Sequence, residues 1–148
     1  RELIAFRRAH PNFRRRKFYQ DRAVLHSSLK DIAWYRADGQ EMTQEEWNAP
    51  WLRSIAVMFN GTTLSQVDDM GQPVVDDSFL ILMNSHHDSV TYTLPQSPDN
   101  RGWEMVMDTS DLDQPFKQKR FDSKMDVYGR SVVLLQEIPL KQDEAPTK

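Results

Sequence analysis

A chain of 148 residues with 39% apolar and 10% aromatic side chains, among them four Trp and seven Phe, is long enough for one domain with a sizeable core. The absence of cysteine excludes disulfides, thiol nucleophiles and cysteine-held metals, and no apolar run approaches the roughly 18 residues of a membrane span. The net charge of -3 hides an asymmetry: residues 1–30 carry nine Lys or Arg against two acids, and the remainder carries ten against twenty.

Taken in order, Glu2 to His10 places Leu3, Ile4 and Phe6 opposite Arg7 and Arg8, a short amphipathic helix stopped by Pro11. A helix this short is marginal alone, so its apolar side needs a partner. The chain does not start with Met, and a start inside an amphipathic pattern suggests a piece of something larger. The run Arg14 to Lys17 raises nucleic-acid binding, but no zinc-finger spacing, helix-turn-helix pattern or RNP-like aromatic motif accompanies it. A solvated basic connection, anchored by Phe13, Phe18 and Tyr19, is the better reading, and no nucleic-acid partner is expected.

Asp31 to Arg36 reads as a first strand, with Ile32 and Trp34 on one face and Ala33 and Tyr35 on the other. The following turn contains Gly39, which can adopt positive φ. Thr43 and Glu46 have capping-box spacing, so Gln44 to Asn48 reads as one helical turn that ends before Pro50. Arg53 to Asn60 is a second strand, and Gly61 to Val75 a polar, mobile loop. Phe79 to Asn84 is almost continuously apolar and reads as a central strand. Val90, Tyr92 and Leu94 then alternate with Thr91 and Thr93, as a half-exposed partner in a hairpin would. Trp103 to Thr109 is a strand with Trp103, Met105 and Met107 on one side. Ser110 to Asp126 reads as a charged loop tacked down by Phe116 and Phe121. Gly129 breaks or bulges the approach to a closing strand at Ser131 to Leu135, and Lys141 to Lys148 reads as a disordered tail. Six strands and almost no helix after Asn48 predict a mainly β fold, an antiparallel β-sandwich.

The chemistry-bearing residues do not assemble into an active site by pattern. Glycoside hydrolysis needs two carboxyl groups facing each other across a sugar, and the pairs Asp68-Asp69 and Asp76-Asp77 are chain neighbours that an extended backbone points apart. His86-His87 meets the same objection as a metal site, and no third ligand stands at a recognised spacing. Ser85 and Ser89 lack an elbow motif and a defined acid partner. No catalytic residue, metal or cofactor is therefore expected. Trp47 and Trp51 near a polar turn, and Trp103, are the candidates for sugar contact, because pyranose faces pack on indoles. Against this stands the plainer role of pinning turns onto the sheet.

Several segments together resemble the carboxy-terminal end of glycogen debranching enzymes of the isoamylase type, in the α-amylase superfamily. They are LIAFRRAHPNFRRRKF, KDIAWYRADGQEMTQEEWN, SIAVMFNG, DDSFLILMNSHHDSVTYTLP, WEMVMDT and YGRSVVLLQ. The resemblance implies a β-sandwich at residues 31–140. Residues 1–30 would be a short helix left over from the end of a (β/α)8 barrel, with its basic connection, and residues 141–148 the tail. It further implies that the barrel, outside this sequence, hydrolyses α-1,6 branch linkages, that the partners are that barrel and, through it, glycogen, and that the protein is cytoplasmic with no membrane partner. No segment matches the family's catalytic motifs, so this chain is expected to be a non-catalytic scaffold. The alternative is a stand-alone carbohydrate-binding module using its tryptophans.

Overall fold

The computed structural model describes residues 1–20, 29–64, 66–96 and 101–139. The expected tail at 141–148, and part of the basic connection, lie outside the described residues. One helix, α1 (Glu2–Ala9), precedes eight strands: β1 (Ile32–Tyr35), β2 (Ser54–Phe59), β3 (Phe79–Asn84), β4 (Val90–Thr93), β5 (Arg101–Asp108), β6 (Arg120–Phe121), β7 (Lys124–Val127) and β8 (Ser131–Pro139). Six of them form an antiparallel sheet in the order β1-β2-β3-β8-β5-β6, and β4 and β7 pair as a second, two-stranded sheet. The β-sandwich expected from the alternation of apolar residues is present, with one layer much smaller than the other.

The inner face follows from period-2 alternation carried across the register. Met58, Leu80, Leu135 and Met105 lie on one row, and Ala56, Leu82 and Val133 on the next. Tyr92 and Leu94 from the β4 side and Met125 and Val127 from β7 close over them, with Trp103 filling the end of the same core. Each large side chain removed from water here contributes on the order of 2 kcal/mol.

Three expectations are corrected. Asp76 to Pro95 is not a hairpin: β3 lies at the centre of the large sheet, whereas β4 lies in the other layer, so residues 85–89 form an arch between layers. Asn84 makes the arch possible. Its side-chain amide donates to the carbonyls of Asp88 (2.8 Å), Val127 (3.0 Å) and Tyr128 (3.1 Å), and its Oδ1 accepts from the His86 N–H. Second, the stretch 110–126 contains two strands. Met125, with Val127 just beyond it, supplies the buried alternation of β7, which a charged context conceals. Third, a β-bulge between Met105 and Met107 puts Met107 opposite Leu134, on the outer face, and leaves Met105 opposite Leu135 on the inner one.

The turn glycines divide by cause. Gly39 takes φ +85, as expected of its turn. At Gly129 the demand is space, because a Cβ would stand 2.1 Å from the His87 carbonyl oxygen, and the left-handed φ of this connection falls on Arg130 (φ 56).

Candidate functional site

The outer face of the large sheet is also apolar. Phe59 and Phe79 form one cross-strand row with Ile32, and Val57, Ile81, Leu134 and Met107 form the next with Trp34. In a two-layer sandwich such a face belongs in water only if something covers it. Residues 1–20 cover part of it. Phe6 and His10 stand edge-on to the ring of Phe79 at 5.5 and 4.8 Å, and Phe13 lies 4.8 Å from the same ring. Tyr19 packs 5.1 Å from Phe59. Phe18, expected as a third anchor, is 95% exposed and anchors nothing among the described residues.

Polar contacts fix this segment at both ends. His10 Nδ1 lies 2.8 Å from Asp76 Oδ1, and the Asn12 N–H donates to Asp76 Oδ2 at 2.9 Å. The buried Asn12 side chain donates to the Asp77 carbonyl at 3.2 Å and accepts from the Tyr19 hydroxyl. Burial pushes the Tyr19 hydroxyl above its ordinary pKa, against the pull of the nearby Arg15. Arg15 is not part of a solvated run: it pairs with Asp31 at 3.2 Å with both side chains 5% exposed, and its guanidinium stacks on Tyr19. No sequence signal singles Arg15 out from Arg14 and Arg16.

The cover is incomplete. None of the residues of α1 is buried, and Leu3 and Ile4 are among the exposed large apolar side chains. Between α1 and the sheet runs an apolar groove of ≈ 280 Å³, lined among others by Leu3, Phe6, Phe13, Ile81, Val132 and Leu134. Such a surface can dock another apolar surface; it presents no group for bond making or breaking.

The tryptophans separate. Trp103 is 2% exposed within β5, its indole N–H donating to the Pro95 carbonyl at 2.9 Å, so it is a core residue with no face for a sugar. Trp47 and Trp51 are 45% and 67% exposed on successive turns, Glu46–Asn48 forming a 3-10 turn and Leu52 N–H closing the next onto Ala49. Trp34 meets Trp47 edge-on at 5.2 Å and braces it. The capping-box spacing is used: Glu46 accepts from the Thr43 N–H at 2.8 Å and from Arg36. Those bonds, the Thr43 N–H first, hold the Glu46 carboxyl below its usual pKa.

The carboxylate pairs are structural. Asp68 caps its own turn through the Met70 and Gln72 N–H groups, while Asp76 anchors the N-terminal segment. His86 and His87 occupy a bend rather than a strand and stack their imidazoles 4.1 Å apart, so they project to one side and are not pointed apart as strand neighbours would be. Among the described residues, no helix is long and apolar enough to cross a membrane.

Comparison with known proteins agrees with this architecture. The chain is 36% identical over 112 residues to the "Glycogen operon protein GlgX homolog" of Mycobacterium tuberculosis (strain ATCC 25618 / H37Rv), a match covering 75% of this chain and 16% of that protein. It is 32% identical over 109 residues to the "Isoamylase" of Pseudomonas amyloderamosa, covering 74% of this chain and 12% of that one. The chain thus spans less than a fifth of these relatives. In fold it resembles pullulanase type I from Bacillus subtilis str. 168, with a TM-score of 0.50 at 18% identity over 90% of this chain and 14% of that one. Residues 31–136 match the family described as "Isoamylase, C-terminal". By that match, and by its identity to GlgX and isoamylase proteins over three quarters of its length, the chain belongs to the isoamylase C-terminal domain family.

Proposed function

We propose that this chain is the non-catalytic C-terminal domain of a glycogen debranching enzyme, and that it acts as a scaffold for a catalytic (β/α)8 barrel in the same polypeptide. In this reading residues 1–30 are the end of the last barrel helix and its connection, and the barrel hydrolyses α-1,6-glucosidic branch linkages in glycogen. The observation that carries it is the half-covered outer face of the large sheet. There α1 lies with Leu3 and Ile4 exposed beside an apolar groove. A barrel wall would bury these side chains. Asp68, Asp76 and His10, taken up in a turn and an anchor, support the non-catalytic part. The test has two arms. Purified 148-residue chain should release no reducing ends from glycogen, and the parent enzyme lacking the sandwich should lose solubility or thermal stability. Debranching by the chain alone, or a parent enzyme indifferent to the loss, would sink the reading.

A second reading, glucan contact at the tryptophan turn, is supported by the exposure of Trp47 and Trp51 on adjacent turns. Titration with maltooligosaccharides should then change Trp fluorescence saturably, and Trp51→Ala should abolish the change. A flat response at millimolar sugar would remove the idea.

A further inference from the structure

The arch between β3 and β4 holds His86, His87 and Asp88, and each offers a donor atom within 4.8 Å of the others. Asp88 Oδ2 lies 3.1 Å from His87 Nε2 and 3.7 Å from His86 Nδ1. Two ligands on a tetrahedral Zn²⁺, with bonds of about 2.0–2.2 Å, stand about 3.4 Å apart. The two observed separations bracket that figure, whereas the two imidazoles are stacked with centroids 4.1 Å apart, so the rings must turn before both can face one ion with Asp88.

The bend that creates this convergence is held by backbone the metal need not organise. The His86 N–H donates to Asn84 Oδ1 at 2.9 Å, and the His86 carbonyl accepts from the Arg130 N–H at 2.9 Å. Gly129 packs directly against the His87 carbonyl. Both histidines are thereby fixed from the β7–β8 connection. Their donors are only lightly engaged, and His86 Nδ1 would have to give up its one hydrogen bond to take an ion. Among the described residues, the Asp88 carboxylate meets no polar group other than the two imidazoles, and the one further bond to a donor atom is the Asp88 N–H to His86 Nδ1, at 3.1 Å. The second cluster of this kind, His10 with Asp76 and Asp77, differs on that point. Asp76 already accepts from Asn12 and Asp77 N–H groups besides contacting His10, and Asp77 accepts from Gln136.

We propose that His86, His87 and Asp88 form a Zn²⁺ site. Two imidazoles and a carboxylate are a donor set suited to that ion, and the exposed side of the arch leaves the fourth position to water. Because the arch joins the two layers, the ion would staple the crossing from the large sheet to the small one.

Isothermal titration of the untagged 148-residue chain, stripped with chelator and then titrated with ZnCl₂ at pH 7.5, tests it. One site of micromolar affinity is expected, weakened at least tenfold by either His86→Ala or His87→Ala. Zn²⁺ at a concentration that saturates the parent chain should raise its melting temperature by about 5 °C and that of either variant by less than half as much. Amide shifts on binding should centre on residues 84–89 and 127–131. No saturable binding up to 1 mM Zn²⁺, or binding that survives both substitutions, overturns the proposal. The His86 and His87 side chains are 33% and 62% exposed, so the variants keep the fold, and failure here leaves the scaffold reading untouched.

Discussion

Asn84 does more for the fold than its size suggests. One side chain satisfies three carbonyls and one N–H at a junction of both layers, with 2% of its surface exposed. Asn84→Ala leaves those groups short of partners in a buried place, so it should cost about 3 kcal/mol in urea unfolding. Tyr92 is the corresponding aromatic case. It is buried among the core side chains, with its hydroxyl donating to the Met83 carbonyl at 2.8 Å. Burial is the largest influence and pushes the phenol up to about 12, although bonds to Ser54 and Ile55 pull the other way. The folded chain therefore keeps a proton that the unfolded chain releases near pH 10. Stability is full below about pH 10 and declines as pH rises toward 12. Tyr92→Phe should cost about 1 kcal/mol at neutral pH and flatten the alkaline decline. The remaining slope belongs to Tyr19 and Tyr35, which burial also raises. Stability measured between pH 9 and 12 checks both statements.

At the level of elements, the strands with unbroken alternation were legible from the sequence, and their faces with them. Alternation in Arg53 to Asn60 sets Ile55, Val57 and Phe59 against Ala56 and Met58, as β2 has them, and Ile32 and Trp34 do share a side of β1. What could not be read was which strand pairs with which. β3 and β4 are separated by five residues, a spacing equally suited to a hairpin and to an arch, and the decision rests on Asn84 bonding to residues 43 and 44 positions away. The bulge in β5 has no residue that announces it, because Val106 would suit either face. The candidate site was legible only in part. The amphipathic character of α1 and its need of a partner were clear, whereas the anchors His10–Asp76 and Arg15–Asp31 join residues that no local pattern links. The second pair carries a prediction. Asp31→Ala strands a buried guanidinium and also removes the acceptor of the Gln20 N–H, so it should destabilise the chain by roughly 3–5 kcal/mol. Asp31→Ala paired with Arg15→Met should recover much of that loss, and urea unfolding of both variants measures it.

For the molecule as a whole, residues 1–20 serve as a partial third layer. Removing them uncovers Phe79 and Phe59, at on the order of 2 kcal/mol for each aromatic surface returned to water. The shortened chain should melt about 10 °C lower and bind a hydrophobic dye that the full chain does not. A melting temperature unchanged by the deletion would mean that the segment rests on the sheet without supporting it. The strand order has a consequence for synthesis. β8 is the last of the eight strands to be made, and it lies between β3 and β5. Until it emerges, the large sheet exists only as two fragments, β1-β2-β3 and β5-β6, and the apolar strand Phe79–Asn84 stands as an open edge. A ribosome would thus have to deliver almost the entire domain before its central seam could close. For that interval the nascent chain carries an edge able to capture a strand from any neighbour, which makes chaperone shielding most valuable just before residue 131 appears.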